Sequence, residues 1–79
     1  MANSNLKSIE YNGNQTFPAN RARDHWFILA KSGGLSIEMG DGGGTIDLDE
    51  GGYYSPDPAP RSKISITSGG TYVIVTNEV

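Results

Sequence analysis

Short runs in which apolar and polar residues alternate, each closed by glycines, fill most of this chain: Leu35-Ser36-Ile37-Glu38-Met39, Thr45-Ile46-Asp47-Leu48, Lys63-Ile64-Ser65-Ile66-Thr67 and Thr71-Tyr72-Val73-Ile74-Val75. A period of two is that of a strand with one face on a core and the other in water. Leu35, Ile37, Met39, Ile46, Leu48, Ile64 and Ile66 are then the inward residues. His25 to Lys31 is more continuously apolar, as expected of a strand covered on both faces or covered on one by a neighbouring subunit. No segment carries a helical period over helical length; a single turn at Pro18-Ala19-Asn20-Arg21 is the most it allows.

The punctuation between runs sets the expected topology. Asn12-Gly13 lies between Ile9-Glu10-Tyr11 and Gln15-Thr16-Phe17, and Asn-Gly in such flanks predicts a hairpin through a type I′ turn. Ser68-Gly69-Gly70 predicts a second, C-terminal hairpin. Gly40 to Gly44 reverses the chain between two strands, and Pro56, Pro58 and Pro60 alternate through an extended segment that cannot join a central strand. About seven short strands at this spacing predict an all-β, antiparallel sandwich, jelly roll or barrel in one domain, 1–79, with 1–5 a flexible or partner-docked arm.

Composition bears on what such a domain needs. Seven Ile, four Leu, three Val and two Phe among 79 residues sit near the level of roughly 20% below which chains drift toward disorder. There is no cysteine to add a disulfide or a thiolate metal site. A homo-oligomer, with a trimer favoured, is the expected source of the missing buried area. The charge is −3, and from Ser32 to Pro60 six acids stand without a Lys or Arg, which disfavours nucleic-acid binding there. Arg21 and Arg23 read as a solvated turn. No apolar run is long enough to span a membrane, and Met1 to Asn5 lacks the pattern of a secretory signal, so assembly in a cytoplasm is expected.

Candidate chemistry is sparse. Gly40 to Gly44 precedes a strand pattern rather than a helix and therefore reads as a hairpin turn, not a phosphate cradle. Calcium through Asp41, Asp47 and Asp49 is the metal alternative, and no cofactor or structural metal is expected. His25 is the single histidine and no serine lies in a nucleophile elbow, so a partly exposed strand-end role is expected rather than catalysis. Asn14-Gln15-Thr16 matches a glycosylation sequon, but with no secretory signal pattern in Met1 to Asn5 no glycosylation is expected there. Trp26, Tyr53 and Tyr54 could stack on a sugar, and aromatics beside prolines could equally anchor an interface.

Tyr53-Tyr54-Ser55-Pro56-Asp57-Pro58-Ala59-Pro60, followed by Lys63-Ile64-Ser65-Ile66-Thr67 and Gly69-Gly70-Thr71-Tyr72-Val73-Ile74-Val75, resembles small structural β-proteins of tailed bacteriophage virions. The likeness covers the C-terminal third and brings no catalytic residues with it. Head decoration or cement proteins of this kind are commonly trimeric. The resemblance implies a non-enzymatic protein of the virion that mounts on the major capsid lattice; a tail fibre or adaptor module and a carbohydrate-binding module are the alternatives. Trp26, Phe27, Tyr53, Tyr54, Pro56, Pro58 and Pro60 are the expected partner contacts, within the stretches Trp26 to Leu29 and Tyr53 to Pro60.

Overall fold

The computed structural model describes residues 6–40, 42 and 44–77; the expected N-terminal arm and Asp41 lie outside them. Eight strands are present: β1 (Lys7–Asn12), β2 (Gln15–Phe17), β3 (Trp26–Ser32), β4 (Leu35–Met39), β5 (Thr45–Leu48), β6 (Tyr53–Tyr54), β7 (Ile64–Ser68) and β8 (Thr71–Thr76). No helix occurs among the described residues. The strands form two four-stranded sheets, ordered β1-β8-β3-β6 and β2-β7-β4-β5, and every pairing is antiparallel. The sheets stack as a sandwich and do not close into a barrel.

The wiring is that of a jelly roll. Four of the pairings join β1 to β8, β2 to β7, β3 to β6 and β4 to β5, as if one long hairpin with its tip at β4–β5 had been rolled up. Rolling adds the contacts β3–β8 and β4–β7. Only the β4–β5 connection stays within a sheet. All others carry the chain from one layer to the other.

Two expected hairpins are thereby corrected. β1 and β2 do not pair, and neither do β7 and β8. A type I′ turn needs positive φ at both central residues, yet among the described residues only glycines have positive φ, so Asn12 does not qualify while Gly13 has φ 81°. Gly13 instead pivots the chain across the sandwich. Its N–H donates to the Gly70 carbonyl at 3.1 Å, its carbonyl accepts from the Tyr72 hydroxyl at 2.8 Å, and the Asn14 side chain accepts from Ser68 N–H at 3.0 Å. The two corners hold each other, which is why each turns between layers rather than back along its own strand.

Alternation places the core as expected. Trp26, Ile28, Ala30, Tyr72 and Ile74 from one sheet meet Leu35, Ile37, Ile64 and Ile66 from the other, and Ala59 closes one end from the proline segment. Tyr11, Phe17, Met39, Ile46, Leu48 and Tyr54 pack around them. The Tyr72 ring is fully buried and stacks near Tyr11, with centroids 5.9 Å apart. Burial, with a smaller contribution from Tyr11, pushes the Tyr72 hydroxyl from its ordinary 10.0 up to about 12.

The crossing at Ser32 and Gly70 depends on a missing side chain. A Cβ at Gly70 would overlap the Ser32 carbonyl, whereas one at Gly69 would meet nothing within 4 Å. Gly70→Ala should lower stability by about 1–3 kcal/mol through forced displacement of packed backbone, and Gly69→Ala should be neutral or stabilising by ~0.4–1 kcal/mol through the unfolded chain. Urea denaturation of the pair checks this, and equal effects would contradict the close approach. Tyr72 gives a pH signature. The folded chain holds the phenolic proton to about pH 12 while the unfolded chain releases it near 10.0, so stability present below the lower value is lost as pH rises between them. Tyr72→Phe should flatten that alkaline loss in denaturation curves collected across this range.

Candidate functional site

The two sheets present opposite chemistry to solvent. Register puts Thr16, Ser65, Thr67, Ser36, Glu38, Thr45 and Asp47 on the outer face of the β2-β7-β4-β5 sheet, where every residue is polar. Asp47 accepts from the Ser36 hydroxyl at 2.7 Å and from the Thr45 hydroxyl at 3.3 Å. Such a face is satisfied by water and by itself.

The outer face of the β1-β8-β3-β6 sheet is polar along β1 and carries an apolar field over β8, β3 and β6. One row across it runs Ser8, Val75, Phe27, and the next Glu10, Val73, Leu29, Tyr53. Phe27, Leu29, Val73 and Val75 are half-buried and Tyr53 is 66% exposed. The Phe27 and Tyr53 rings lie 5.8 Å apart at a tilt of 31°. Lys31 and Glu10 pair at 3.4 Å along one side of this face. The inward residues of the same strands already form the core, so β3 is apolar on both faces, as its composition implied. A contiguous apolar face with a polar rim marks an interaction surface.

Beyond Phe27 the face runs into a cleft of about 410 Å³, walled by Leu6, Phe27, Val75 and Pro56 with Asp24 and Asp57 among its polar residues. His25 and Ser55 also line it. No hydrogen bond or ion pair joins the His25 side chain to Ser55 or to either carboxylate, and Asp24 is bound by Arg61 at 2.7 Å. His25 is exposed, as expected for the end of a strand.

The seven expected contact residues divide. Phe27, Tyr53 and Pro56 come together on the outer face and its cleft. Trp26 is 4% exposed and belongs to the core, and Tyr54, facing opposite to Tyr53, packs against that core. Pro58, which follows a cis peptide bond, is exposed. Pro60 is half-buried and its carbonyl is used internally. A sugar platform of Trp26, Tyr53 and Tyr54 together is therefore not on any one surface. Leu29, within the expected Trp26 to Leu29 contact stretch, shares this face, while Val73 and Val75 were not expected on it; the signal for them was the apolar content of both faces of β8. For the calcium alternative, Asp47 is engaged by two hydroxyls, and among the described residues no three His, Cys, Asp or Glu gather to hold an ion.

Arg23 is the largest departure from expectation. It is completely buried rather than solvated. Its guanidinium donates to the carbonyls of Pro60 at 2.7 Å, Ser62 at 2.9 Å and Pro18 at 2.9 Å. Arg61 in turn donates through Nε to the Arg23 carbonyl at 3.1 Å, and Asn20 N–H donates to the Arg61 carbonyl at 3.0 Å. This knot ties the β2–β3 connection to the proline segment and so holds the wall of the cleft.

Comparison of the chain with family models, with characterised proteins and with solved structures finds no match in any of the three.

Arg23→Met should cost about 3–5 kcal/mol, because it leaves several buried carbonyls without donors. Arg23→Lys should recover only part of that loss, since an ammonium cannot fork to the same acceptors. Urea denaturation measures both, and a loss below ~1 kcal/mol for Arg23→Met would show the knot to be incidental.

Proposed function

We propose that this protein is a non-enzymatic structural component of a virion, a capsid decoration or cement protein that docks on the head lattice through the outer face of the β1-β8-β3-β6 sheet. The observation that carries the reading is the apolar field of Phe27, Leu29, Val73, Val75 and Tyr53 on one outer face against an entirely polar field on the other. A protein that used water on both sides would have no reason for the difference. The resemblance of the C-terminal third to phage virion β-proteins supplies the setting, and jelly rolls occur among capsid domains, a likeness of architecture and not of site.

The partner surface should be apolar at its centre and basic at its margin. Asp57 stands at the cleft beside Phe27, Asp24 there being paired with Arg61, and the chain carries net charge −3. Complementary charge at a rim steers encounter and fixes orientation, while the desolvated rings supply the energy. A tail fibre or adaptor role would use the same face on a different part of the particle. The carbohydrate-binding alternative keeps only Tyr53 and Phe27 as usable rings, since Trp26 is buried.

Variants at neighbouring positions separate docking from folding. Tyr53→Ala and Phe27→Glu should each weaken binding to heads of the parent virus by more than about 30-fold, the range of an interface hot spot, with the circular dichroism spectrum unchanged. Tyr54→Ala should instead lower folding stability, because its ring faces the core. Thr67→Ala, on the polar face, should leave binding as it is. Retained head binding by both Tyr53→Ala and Phe27→Glu would remove this face as the docking surface.

A further inference from the structure

The two sheets have four edges, and three of them are guarded. β2 has three residues and runs into Pro18, β6 has two and runs into the proline segment, and β5 is short, carries Asp47 and is followed by Asp49 and Glu50. Short strands, prolines and charges are the usual devices that stop an edge from pairing with another chain. β1 has neither shortness nor proline. It is six residues long, and its only charges, Lys7 and Glu10, are one of each sign.

Its open backbone can be assigned. Gly13 N–H donates to the Gly70 carbonyl directly opposite, so odd-numbered residues of β1 bond to β8. The far side of the sheet agrees: Ala30 N–H donates to Gly52 O at 2.9 Å, which turns odd residues of β8 toward β3 and even ones toward β1. Ser8, Glu10 and Asn12 therefore aim their N–H and C=O groups at the free edge. Beneath that edge Ile9 faces the sandwich interior yet remains 41% exposed. It borders an apolar cleft of about 300 Å³ walled by Tyr11, Phe17, Pro18, Trp26 and Ile74.

We propose that β1 is the contact of a two-fold dimer in which a second copy of this chain adds its own β1 antiparallel, joining two four-stranded sheets into one of eight. One register fits. Matching the inward faces of the copies requires odd residues to oppose odd ones. Placing Ile9 opposite Ile9 of the other copy makes Ser8 and Glu10 the hydrogen-bonded pair, twice over, and sets Lys7 beside the Tyr11 ring. Shifting two residues one way puts Glu10 against Glu10, a like-charge pair. Shifting the other way leaves Ile9 against Lys7. In the chosen register the two isoleucines form a non-hydrogen-bonded pair, the kind with the closest side chains, and together they cover the mouths of both clefts. Charge favours a second copy at this edge: Asp47, Asp49, Glu50 and Asp57 lie on or beside β5 and β6, at the opposite edges of the two sheets, so two chains of charge −3 approach with their acids apart. The symmetry is two-fold where the sequence alone favoured a trimer.

The chain has no cysteine, so a single introduced thiol reports the register. Ile9→Cys places two thiols within the ~4.4–6.8 Å Cα range of a disulfide. Lys7→Cys places its pair four positions out of register, roughly 13 Å apart and beyond reach. Under mild oxidation Ile9→Cys should form a covalent dimer at least about ten-fold faster than Lys7→Cys, and light scattering of the unmodified chain should give the mass of a dimer. Ser8→Pro, which removes a donor from the open edge and none from the β1–β8 ladder, should shift that mass to the monomer. Equal rates for the two thiols, or an unmodified chain that scatters as a monomer, would overturn the proposal. Phe27→Glu distinguishes this contact from the docking face: cross-linking through Ile9→Cys should persist in it, and its loss would remove β1 as the two-fold.

Discussion

The guanidinium of Arg23 is the fixed point on which the two proline-bearing connections of the molecule depend. Proline segments leave carbonyl oxygens without ladder partners, because the chain around them cannot run in a sheet. Pro18, Pro60 and Ser62 all offer such oxygens, and Arg23 collects them in one buried fork. Burying an unsatisfied carbonyl is costly, so without this donor the β2–β3 connection and the proline segment would have to open to water. Opening would expose Ala59 and the end of the core beside it. A charged side chain thus closes an apolar core that is thin in apolar residues. Asn77 adds a lesser staple, accepting from the N–H groups of Asp24 and His25 and donating to Ala22 O.

Strand identity was legible in the sequence and strand partnership was not. Leu35–Met39, Thr45–Leu48 and Thr71–Thr76 carry the strands that their alternation outlines. The expected reversal between β4 and β5 agrees with their antiparallel pairing. Asn12-Gly13 and Ser68-Gly69-Gly70 carry the same local signal and do otherwise. A glycine-rich turn states that the chain reverses, but which layer it enters is decided by contacts far along the chain, here Gly13 with Gly70 and Asn14 with Ser68. Those contacts have sequence separations above fifty residues, and no local pattern encodes them. Arg23 was illegible for the same reason: its acceptors at Pro60 and Ser62 are distant in sequence, and the one cue, prolines needing donors, has no fixed spacing.

The candidate surface was half legible. Phe27 and Tyr53 stood out as aromatics in strand or strand-end positions, and the structure brings them within ring contact. Trp26 and Tyr54 stood out equally and went inward, because neighbouring residues of a strand face opposite ways. Register across four strands, rather than composition, separates Tyr53 from Tyr54 and joins Leu29, Val73 and Val75 to the former. An apolar residue in a two-sided apolar strand cannot be assigned to core or surface until its cross-strand partners are known.

The two proposed contacts reinforce each other through symmetry. A two-fold that pairs β1 with β1 in a continuous sheet stands perpendicular to that sheet, and such an operation keeps the outer face of one copy on the same side as that of the other. The fields around Phe27 and Tyr53 are then presented side by side, with the polar faces of both copies turned away together. Once one copy docks on a lattice, the second is held near its own site, and its binding becomes effectively intramolecular. A modest apolar face on an 8.4 kDa chain is small beside a stable interface of roughly 800 Å² per partner. Pairing along β1 doubles that face without enlarging the subunit, so a long edge without proline that would be a liability in a monomer is consistent with a chain whose work is done in pairs.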